Sequence, residues 1–406
     1  MKTNMPHAGI WAVRPGSLLL LLLLVGCANS SSQPAPTRNT GSAPSGPAPT
    51  VSAGPVPLQT AWGQVNIHRL PSAMSDNHVF VFDNAATSDG QWLVGAIEPR
   101  DFITNTTRPS FAVLYNITTR QIVTMHQLLT PQSQILAAAA DDHWVVWTEA
   151  DDQPNFFNWT LFAYNQQTRQ VRQLAQATKI NGQAVSGPYP TVVLDHGLLI
   201  WNQAVGPVSP ATLDNAVVRT ENLTTGTVTT LATRAGAPLA LSWPWVAWSQ
   251  VTTGSGGYTL LKNLNTGQEL HITIQGSYIT LAGTSVAYTD IQGYRLYLLS
   301  DVTRSTTNPQ ILVQVEDAGD HIQYITMNDR LIAWAQYTAI QVWDRAEHRL
   351  VTLPISNGES DSWVGGHTLV WLDPEPKAQQ DQDLRENLIP TPTFDVIDTA
   401  TLPVLP

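Results

Sequence analysis

A short, strand-like segment that carries an aromatic residue recurs seven times along the 406-residue chain. Each copy combines apolar residues with an aromatic residue near its end. The aromatic position returns every 37 to 54 residues, with Gly95 in its place in the first copy. The copies are residues 91–96, 143–148, 197–202, 244–249, 284–289, 330–335 and 367–372. Repetition at such a period is typical of units that cannot bury their apolar faces alone and therefore stack on their neighbours.

Further strand-like segments flank several copies. Residues 135–139, 191–194 and 279–282 precede a copy, and residues 161–171 and 258–270 follow one as alternating hairpins with polar turns. Three or four strands per unit, seven units and almost no helical periodicity predict an all-β fold, a β-propeller with seven blades. Six or eight blades also fit the pattern, and a pair of β-sandwiches is the alternative fold.

The ends of the repeat array indicate how a ring of blades can close. The last unit is predicted to have strands at 361–364, around Trp371, at 393–398 and at 402–405. Residues 63–70 alternate in the manner of a strand and can add to this last blade. Such a strand would fasten the N-terminal part of the chain to its C-terminal part.

The first copy carries the most specific family signal. Residues 87–94 read Thr-Ser-Asp-Gly-Gln-Trp-Leu-Val, and residues 164–171 follow a Tyr-Asn-x-x-Thr-x-x-Val pattern. Both segments resemble the TolB-like (WD40-like) propeller repeat, over residues 75–405, although the later copies lack Asp-Gly. The resemblance implies a propeller that works mainly as a protein-interaction platform.

The N-terminus constrains the location of the protein. Seven consecutive leucines follow Lys2 and Arg14 and end at the sequence Leu-Val-Gly-Cys, whose cysteine, Cys27, is the only one in the chain. The apolar run is too short to span a bilayer as a helix and is typical of a secretory signal peptide. Its ending resembles the lipobox of bacterial lipoproteins. The resemblance implies removal of residues 1–26, acylation of Cys27 with a palmitate-type lipid, and anchoring to the extracytoplasmic side of the cell membrane. The alternative is a buried cysteine that follows an ordinary signal peptide.

Residues 27–60 are mostly Ala, Pro, Ser, Gly and Thr, a composition that is typical of a disordered tether. The predicted organisation is therefore a lipoprotein signal peptide (1–26), the lipidated cysteine with its tether (27–60) and a β-propeller domain (61–406).

Composition and motifs exclude several classes of function. The formal net charge of −11 disfavours nucleic acid, whose binding depends on Lys and Arg contacts to phosphates. No Gly-x-Ser-x-Gly elbow, His-Glu-x-x-His, phosphate loop or calcium loop occurs. We therefore expect no cofactor and no metal, and we assign no catalytic residue, so an enzymatic function is uncertain and not favoured.

One repeated feature suggests a binding surface. A polar residue stands two places after the aromatic position in six of the seven units. Because side chains on a strand alternate, these residues are predicted to point the same way and to form a polar ring on one face of the propeller. The alternative is that each bonds the end of its own strand. The six candidates are Glu149, Gln203, Gln250, Asp290, Gln336 and Asp373.

Three further features have two interpretations each. The aspartate pairs 141–142 and 151–152 could hold a cation with Glu149 or could be ordinary turn residues. Phe156, Phe157 and Trp159 could form an exposed patch for a glycan or a peptide, or could cap a blade edge. The acidic, proline-bearing insertion at 373–387 is predicted to be mobile, or to serve as a recognition loop.

These observations favour a lipid-anchored, extracytoplasmic protein of the cell envelope. Its propeller is predicted to act as a non-catalytic binding platform for a protein or an envelope polymer. The alternative is an extracytoplasmic propeller that binds or hydrolyses carbohydrate, with carboxylates such as Glu149 and Asp290. A purely structural envelope protein is a third possibility.

Overall fold

A computed structural model describes residues 54–403. Residues 103, 105–106, 152–154, 188–189, 210–212, 252–256, 273–277, 291, 305–308, 316–320, 338 and 357–359 are excepted. The predicted signal peptide, Cys27 and the predicted tether as far as residue 53 lie outside the described residues. No helix in the described ranges is both long enough and apolar enough to cross a bilayer.

The described chain forms seven antiparallel sheets, or blades, each with strands A to D from the inside outwards. The A strands are His78–Ala86, Gln134–Ala140, Val192–Asp195, Ala235–Ser242, Ile279–Ala282, Gln323–Met327 and Ser362–Gly365. The B strands are Trp92–Pro99, Trp144–Ala150, Leu198–Ala204, Trp245–Val251, Ser285–Thr289, Leu331–Ala335 and Thr368–Asp373. The C strands are Phe111–Asn116, Trp159–Asn165, Ala216–Asn222, Gly257–Asn263, Arg295–Leu299, Ile340–Asp344 and Thr393–Asp398. The D strands are Ile122–Gln127, Gln170–Gln176, Thr227–Thr233, Glu269–Ile272, Gln310–Gln314, Arg349–Leu353 and His68–Pro71.

A few elements lie outside the four-strand pattern. They are a strand, Val56–Pro57, at the outer edge of blade 6, a small hairpin (Lys179–Ile180 with Gln183–Ala184), helices α1 (Leu58–Trp62) and α2 (Lys377–Arg385), and 3₁₀ turns Ser75–Asn77 and Thr399–Thr401.

The blades are arranged in a closed ring. The A strand of each blade contacts the A strand of the next, and that of blade 7 contacts that of blade 1. The fold is therefore a seven-bladed β-propeller, as the repeats predict, and the alternative of two β-sandwiches is wrong. The seven aromatic segments of the sequence are the B strands.

The connectivity gives the ring two different faces. The turns between strands A and B and between strands C and D lie on one side, which we call the hairpin face. The connections from B to C, and from D to the next blade, lie on the other side, which we call the loop face. The six predicted polar-ring residues stand at the C-terminal end of strand B, and therefore at the loop face.

The aromatic position holds neighbouring blades together. Seven hydrophobic clusters each join two adjacent blades. Trp147, for example, lies in the cluster between blades 1 and 2 and is fully buried. Gly95 is the exception because the ring of Phe80 occupies this space: a Cβ at Gly95 would lie 2.6 Å from a carbon of that ring. Phe80 accordingly belongs to the cluster between blades 7 and 1.

The predicted closing strand is confirmed. His68–Pro71 pairs antiparallel with strand C of blade 7, and Leu70 of this strand is 1% exposed. Arg69 adds an ion pair, with its Nε and Nη2 at 2.8 and 2.7 Å from the carboxylate oxygens of Asp395. Of the last strand predicted at 402–405, residues 404 and 405 lie outside the described residues. Residues 402 and 403 are in no strand: His68–Pro71 occupies that edge, and Leu402 is buried in the cluster between blades 6 and 7.

The boundary predicted between tether and propeller is also too late in the chain. Val56 and Pro57 pair in parallel with Val351 and Thr352 at the edge of blade 6. Helix α1 then buries Leu58, Ala61 and Trp62 against blades 6 and 7. The folded part therefore includes residues 56–60, because the apolar residues of this proline-rich segment pack into the hydrophobic cluster between blades 6 and 7.

The insertion in blade 7 is a docked helix, which corrects the prediction of a mobile loop. Gln380 and Asp383 of α2 are each 2% exposed. Asp383 accepts a hydrogen bond of 2.5 Å from Nη2 of Arg100 in blade 1, and Arg100 also exchanges hydrogen bonds with the backbone of Ile389. The insertion thus bridges blades 7 and 1 on the loop face.

Candidate functional site

Two of the six predicted ring residues bond backbone carbonyls at or just after the end of strand D of the preceding blade. Gln250 donates from Nε2 to the carbonyls of Thr233 (3.0 Å) and Arg234 (3.1 Å). Gln203 similarly donates to the carbonyl of Gln176 at 3.3 Å. These contacts favour the backbone-bonding alternative for both glutamines, although the strand end that each bonds is not its own.

Asp290 has a similar local role. Its Oδ1 accepts from the backbone N–H groups of Tyr294 (2.7 Å) and Arg295 (3.3 Å), which closes the connection between strands B and C of blade 5. The acceptors of Asp290 are therefore directed at its own loop.

Asp373 and Gln336 occupy the equivalent positions in blades 7 and 6, and both are buried. Asp373 accepts from the backbone N–H and the hydroxyl of Ser356, at 2.8 and 3.0 Å, and lies 3.6 Å from Nη2 of Arg69. Gln336 lines a pocket that is described below. The structure thus places the six residues at equivalent sites without joining them into one open surface, and their role as ligand contacts stays a prediction.

Glu149 differs from the other five because it is a carboxyl group with no exposed surface. Neither of its oxygens has a hydrogen-bond partner, and the nearest basic group, Nε2 of His126, lies 3.8 Å away. Burial raises the pKa of Glu149 to about 8. Burial also lowers the pKa of His126, whose ring packs on that of Phe162 at 4.8 Å. At neutral pH the pair is therefore mostly uncharged, between blades 1 and 2.

The structure also bears on the aromatic residues and the aspartate pairs, each of which has two interpretations in the sequence. Phe156 and Trp159 are 4% and 5% exposed and pack between blades 2 and 3, so the interpretation of these two residues as an exposed patch is wrong. Asp141 accepts from three backbone N–H groups, two of its own turn and one of Gly197 in the next blade. In the described ranges, no three His, Cys, Asp or Glu side chains gather as metal ligands.

A pocket on the loop face is the strongest candidate for a binding site. It measures about 330 Å³ and lies among blades 6, 7 and 1, partly beneath α2; we call it the blade 7 pocket. Its size is at the lower end of the range that small-ligand sites occupy. The pocket is lined by the side chains of, among others, Phe82, Tyr324, Tyr337, Asp361, Ser362, Trp363, Glu375 and Gln380.

Aromatic rings form much of the wall. Phe82 contacts Trp363 edge to face, with ring centroids 6.1 Å apart, and Phe394 at 5.9 Å. Tyr337, at the rim, is 59% exposed, which makes it the most exposed large hydrophobic or aromatic residue of the described chain. An exposed aromatic residue beside an apolar cavity is a common anchor for a ligand or a partner.

Three polar atoms of the pocket are buried without a hydrogen-bond partner. They are Oγ of Ser362, Oε2 of Glu375 and Oε1 of Gln380. An unpaired buried acceptor is costly, and native structures satisfy nearly all such groups. The residues that line the pocket therefore combine an apolar wall with buried polar groups that lack a hydrogen-bond partner within the described chain.

A second, wider cleft lies on the hairpin face between blades 2 and 3. It measures about 840 Å³ and includes Asp142, His143, Arg172 and His196. Arg172 lies over the ring of Trp144, at 5.1 Å, so its charge is already engaged. The cleft is lined mostly by turn residues, and one of its polar atoms, Nε of Arg172, is also buried without a hydrogen-bond partner. The residues that line the blade 7 pocket carry three such atoms.

The repeat pattern predicts almost none of the pocket. Of the six ring candidates only Gln336 lines the pocket, whereas Glu375 and Gln380 belong to the insertion that the sequence predicts to be mobile or to serve as a recognition loop. The other side chains named above lie in or next to strand A of three blades or, for Tyr337, in the connection after strand B of blade 6. The signal that does identify the region is the departure from the repeat: the long connection between strands B and C of blade 7, with its prolines and carboxylates.

Comparison with known proteins supports the fold. No protein-family model and no characterised protein matches the sequence. Among solved structures, the chain is similar to a prolyl endopeptidase, with a TM-score of 0.52 and 9% identity over 75% of this chain and 46% of that one. It is also similar to TolB from Acinetobacter baumannii, with a TM-score of 0.40 and 12% identity over 74% and 65% of the two chains. The propeller domain of the Trilobed protease from Pyrococcus furiosus gives 0.45 and 9%, over 74% and 90%. The chain spans less than half of the endopeptidase, and at 9% identity the likeness to that structure shows the fold alone.

Proposed function

We propose that this protein is a lipid-anchored binding platform of the cell envelope and that its loop face, at the blade 7 pocket, receives the partner. Lipidation at Cys27 holds the protein at the membrane, and residues 28–55 give the propeller reach from it. The partner is a protein or an envelope polymer. The observation that carries the proposal is the pocket itself, in which exposed Tyr337 stands beside an aromatic wall and unsatisfied polar groups.

The form of the ring suits display. Each blade is fixed to its neighbours by a hydrophobic cluster, so the strands that line the pocket are held in place before a partner arrives. Binding to a preformed site avoids part of the entropy cost of ordering loops. The α2 helix, docked through Arg100, provides one rigid side of the site.

The carboxylates proposed for carbohydrate hydrolysis are poorly placed for it. Glycosidases need two carboxyl groups that flank one bond of the substrate. Glu149 is fully buried in blade 2, and Asp290 bonds its own loop in blade 5. Neither lines the blade 7 pocket. These placements support a platform over a hydrolase that uses this pair.

Site-specific cross-linking tests the proposal. A photo-reactive phenylalanine replaces Tyr337 at the pocket rim in the full chain, which is expressed in its own host and irradiated in intact cells. The matched control carries the same residue at Trp243, which is 41% exposed on the hairpin face. We expect an envelope component to be captured at position 337 and not at position 243.

Two outcomes would contradict the platform at this site: no adduct at position 337, or the same set of adducts at both positions. The membrane part is tested in the same cells by Cys27→Ser. This change should move the protein from the membrane fraction to the soluble fraction and should reduce capture at position 337.

A further inference from the structure

We propose that the blade 7 pocket selects an organic cation, a guanidinium or ammonium group carried on an apolar stem. This inference deepens the proposed function, on which it rests, by naming the chemistry of the ligand. The group can belong to an Arg or Lys side chain of a partner or to a free small amine, since both present the same chemistry to the pocket.

The charges of the pocket are all of one sign. Among its lining residues, Asp361 and Glu375 are acidic and none is Lys, Arg or His. The two arginines that lie nearby in the fold are engaged elsewhere: Arg69 binds Asp395 at 2.7 Å and Arg100 binds Asp383 at 2.5 Å. The pocket thus disfavours anions, and the net charge of −11 attracts cations over a longer range.

The unsatisfied groups require a hydrogen-bond donor. Gln380 is 2% exposed, and its Nε2 donates to the backbone carbonyl of Glu375 at 2.5 Å. Because a carbonyl can only accept, this contact fixes the amide orientation, and Oε1 is the atom left without a partner. In Glu375, Oε1 accepts from the hydroxyl of Thr391, whereas Oε2 is buried and unpartnered. Two acceptors therefore remain open, one of them on a carboxyl group.

A guanidinium or ammonium group satisfies both requirements at once. It supplies several N–H donors and a positive charge, and charge-assisted hydrogen bonds to a carboxylate are stronger than neutral ones. The wall formed by Phe82 and Trp363 accommodates an aliphatic stem, and the faces of such rings also attract cations. A volume of about 330 Å³ suits one such side chain and is small for an oligosaccharide.

Binding of defined probes to the purified full chain in detergent tests the inference by calorimetry. Agmatine presents a guanidinium on a four-carbon stem that ends in an ammonium group, and butylurea is an uncharged analogue of similar stem length that lacks both charges. We expect agmatine to bind saturably and at least tenfold more tightly than butylurea, with an affinity that falls as salt is added. The peptide acetyl-Gly-Arg-Gly-amide identifies the source. Tighter binding than agmatine assigns the cation to a protein segment, and weaker binding assigns it to a free amine.

Variants locate the site. Glu375→Gln removes the charge and keeps the shape, and should weaken agmatine at least tenfold. Glu386→Gln, on the exposed end of the same insertion, should leave binding unchanged. If Glu375→Gln lowers the melting temperature, Asp361→Asn serves in its place, because Asp361 is exposed and tolerates substitution more readily.

Three results would overturn the inference. They are binding of butylurea as tight as that of agmatine, binding of N-acetylglucosamine tighter than that of agmatine, and agmatine binding that neither Glu375→Gln nor Asp361→Asn weakens. These results are distinct from failure of the platform. Capture at position 337 that agmatine does not compete away refutes the cation and keeps the platform. Agmatine binding without capture refutes the platform and keeps the cation.

Discussion

The propeller consists of two unlike parts. Blades 2 to 5 form an arc in which every blade takes its four strands from one continuous stretch of chain. Blades 6, 7 and 1 form a seam, where Val56–Pro57 extends blade 6 and His68–Pro71 completes blade 7. The seam also holds helix α2 and the blade 7 pocket. The arc is thus held by repetition alone, whereas the seam depends on segments that the repeat does not contain.

The difference suggests how such a ring acquires a site. In the arc, Asp290 bonds its own loop and Gln250 bonds the backbone where the chain enters its blade, whereas Glu149 is buried without such a bond. At the seam, the terminal segments of the chain and an insertion supply side chains that are not part of the repeat. Three unpartnered polar groups of the seam, on Ser362, Glu375 and Gln380, belong to residues that line the blade 7 pocket.

The largest expected loss of stability comes from a substitution in helix α1, which belongs to the seam but not to the repeat. Trp62 of α1 is 3% exposed, and its Nε1 donates to Oδ2 of Asp344 at 2.8 Å. Trp62→Ala empties this space and should lower the free energy of unfolding by about 3–5 kcal/mol, measured by urea denaturation. Trp62→Phe is the matched control. It retains most of the apolar contact, and Asp344 keeps its bond to Arg330, so a loss of about 1 kcal/mol is expected. A small, equal loss for both variants would show that α1 does not brace the seam.

The second prediction concerns the position two residues after the aromatic one, which is Glu149 in the arc and Asp373 in the seam. It compares how substitutions there change the stability of the protein. The folded-state pKa of Glu149 is raised to about 8, above its ordinary value of 4.5, so the folded protein holds the proton more tightly than the unfolded chain. The contribution of Glu149 to the stability of the parent is therefore fully present below pH 4.5 and is lost as the pH rises from 4.5 to 8. Glu149→Gln imitates the protonated form. It should be nearly neutral at pH 4.5 and should stabilise the protein by roughly 2–4 kcal/mol at pH 8.

Asp373→Asn is the counterpart in the seam. It weakens the contacts with Ser356 and Arg69, so it should destabilise the protein by about 1 kcal/mol at pH 8. Thermal unfolding of both variants across this pH range measures the contrast. The same sign of effect at pH 8 would remove the distinction between arc and seam at this position.

The sequence predicts the arc well because its signals are local. The aromatic strand, the strand before it and the hairpin after it each depend on alternation over a few residues, as in Trp144–Ala150 and Trp159–Asn165. The closing strand was predictable for the same reason. Glu149 illustrates the limit: its position in the repeat is evident, whereas its burial depends on His126 and Phe162, which belong to different blades.

The seam is harder to predict because its contacts are distant in sequence. Val56 pairs with Val351, and Arg100 bonds Asp383, although the two residues of each pair lie far apart in the sequence. The apolar residues of α1 are hidden in a proline-rich stretch that is typical of a tether. The pocket combines strand A of three blades with an insertion, so no single segment of the sequence carries its pattern.

The smallest expected effect compares the ends of strand C on the hairpin face. In the arc, Oδ1 of Asn165 accepts from the backbone N–H groups of Gln167 and Thr168, at 3.0 and 2.8 Å, and holds the turn into strand D. In the seam, Asp398 occupies the same position, but it accepts from Ala400 alone, and the chain leads to no D strand. Asn165→Ala should therefore cost about 1 kcal/mol, and Asp398→Ala about half of that, as two such bonds against one. Urea denaturation of the two variants at pH 7 measures both costs. An equal or larger loss at Asp398 would mean that the 3₁₀ turn after it stabilises the seam as strongly as a hairpin stabilises a blade of the arc.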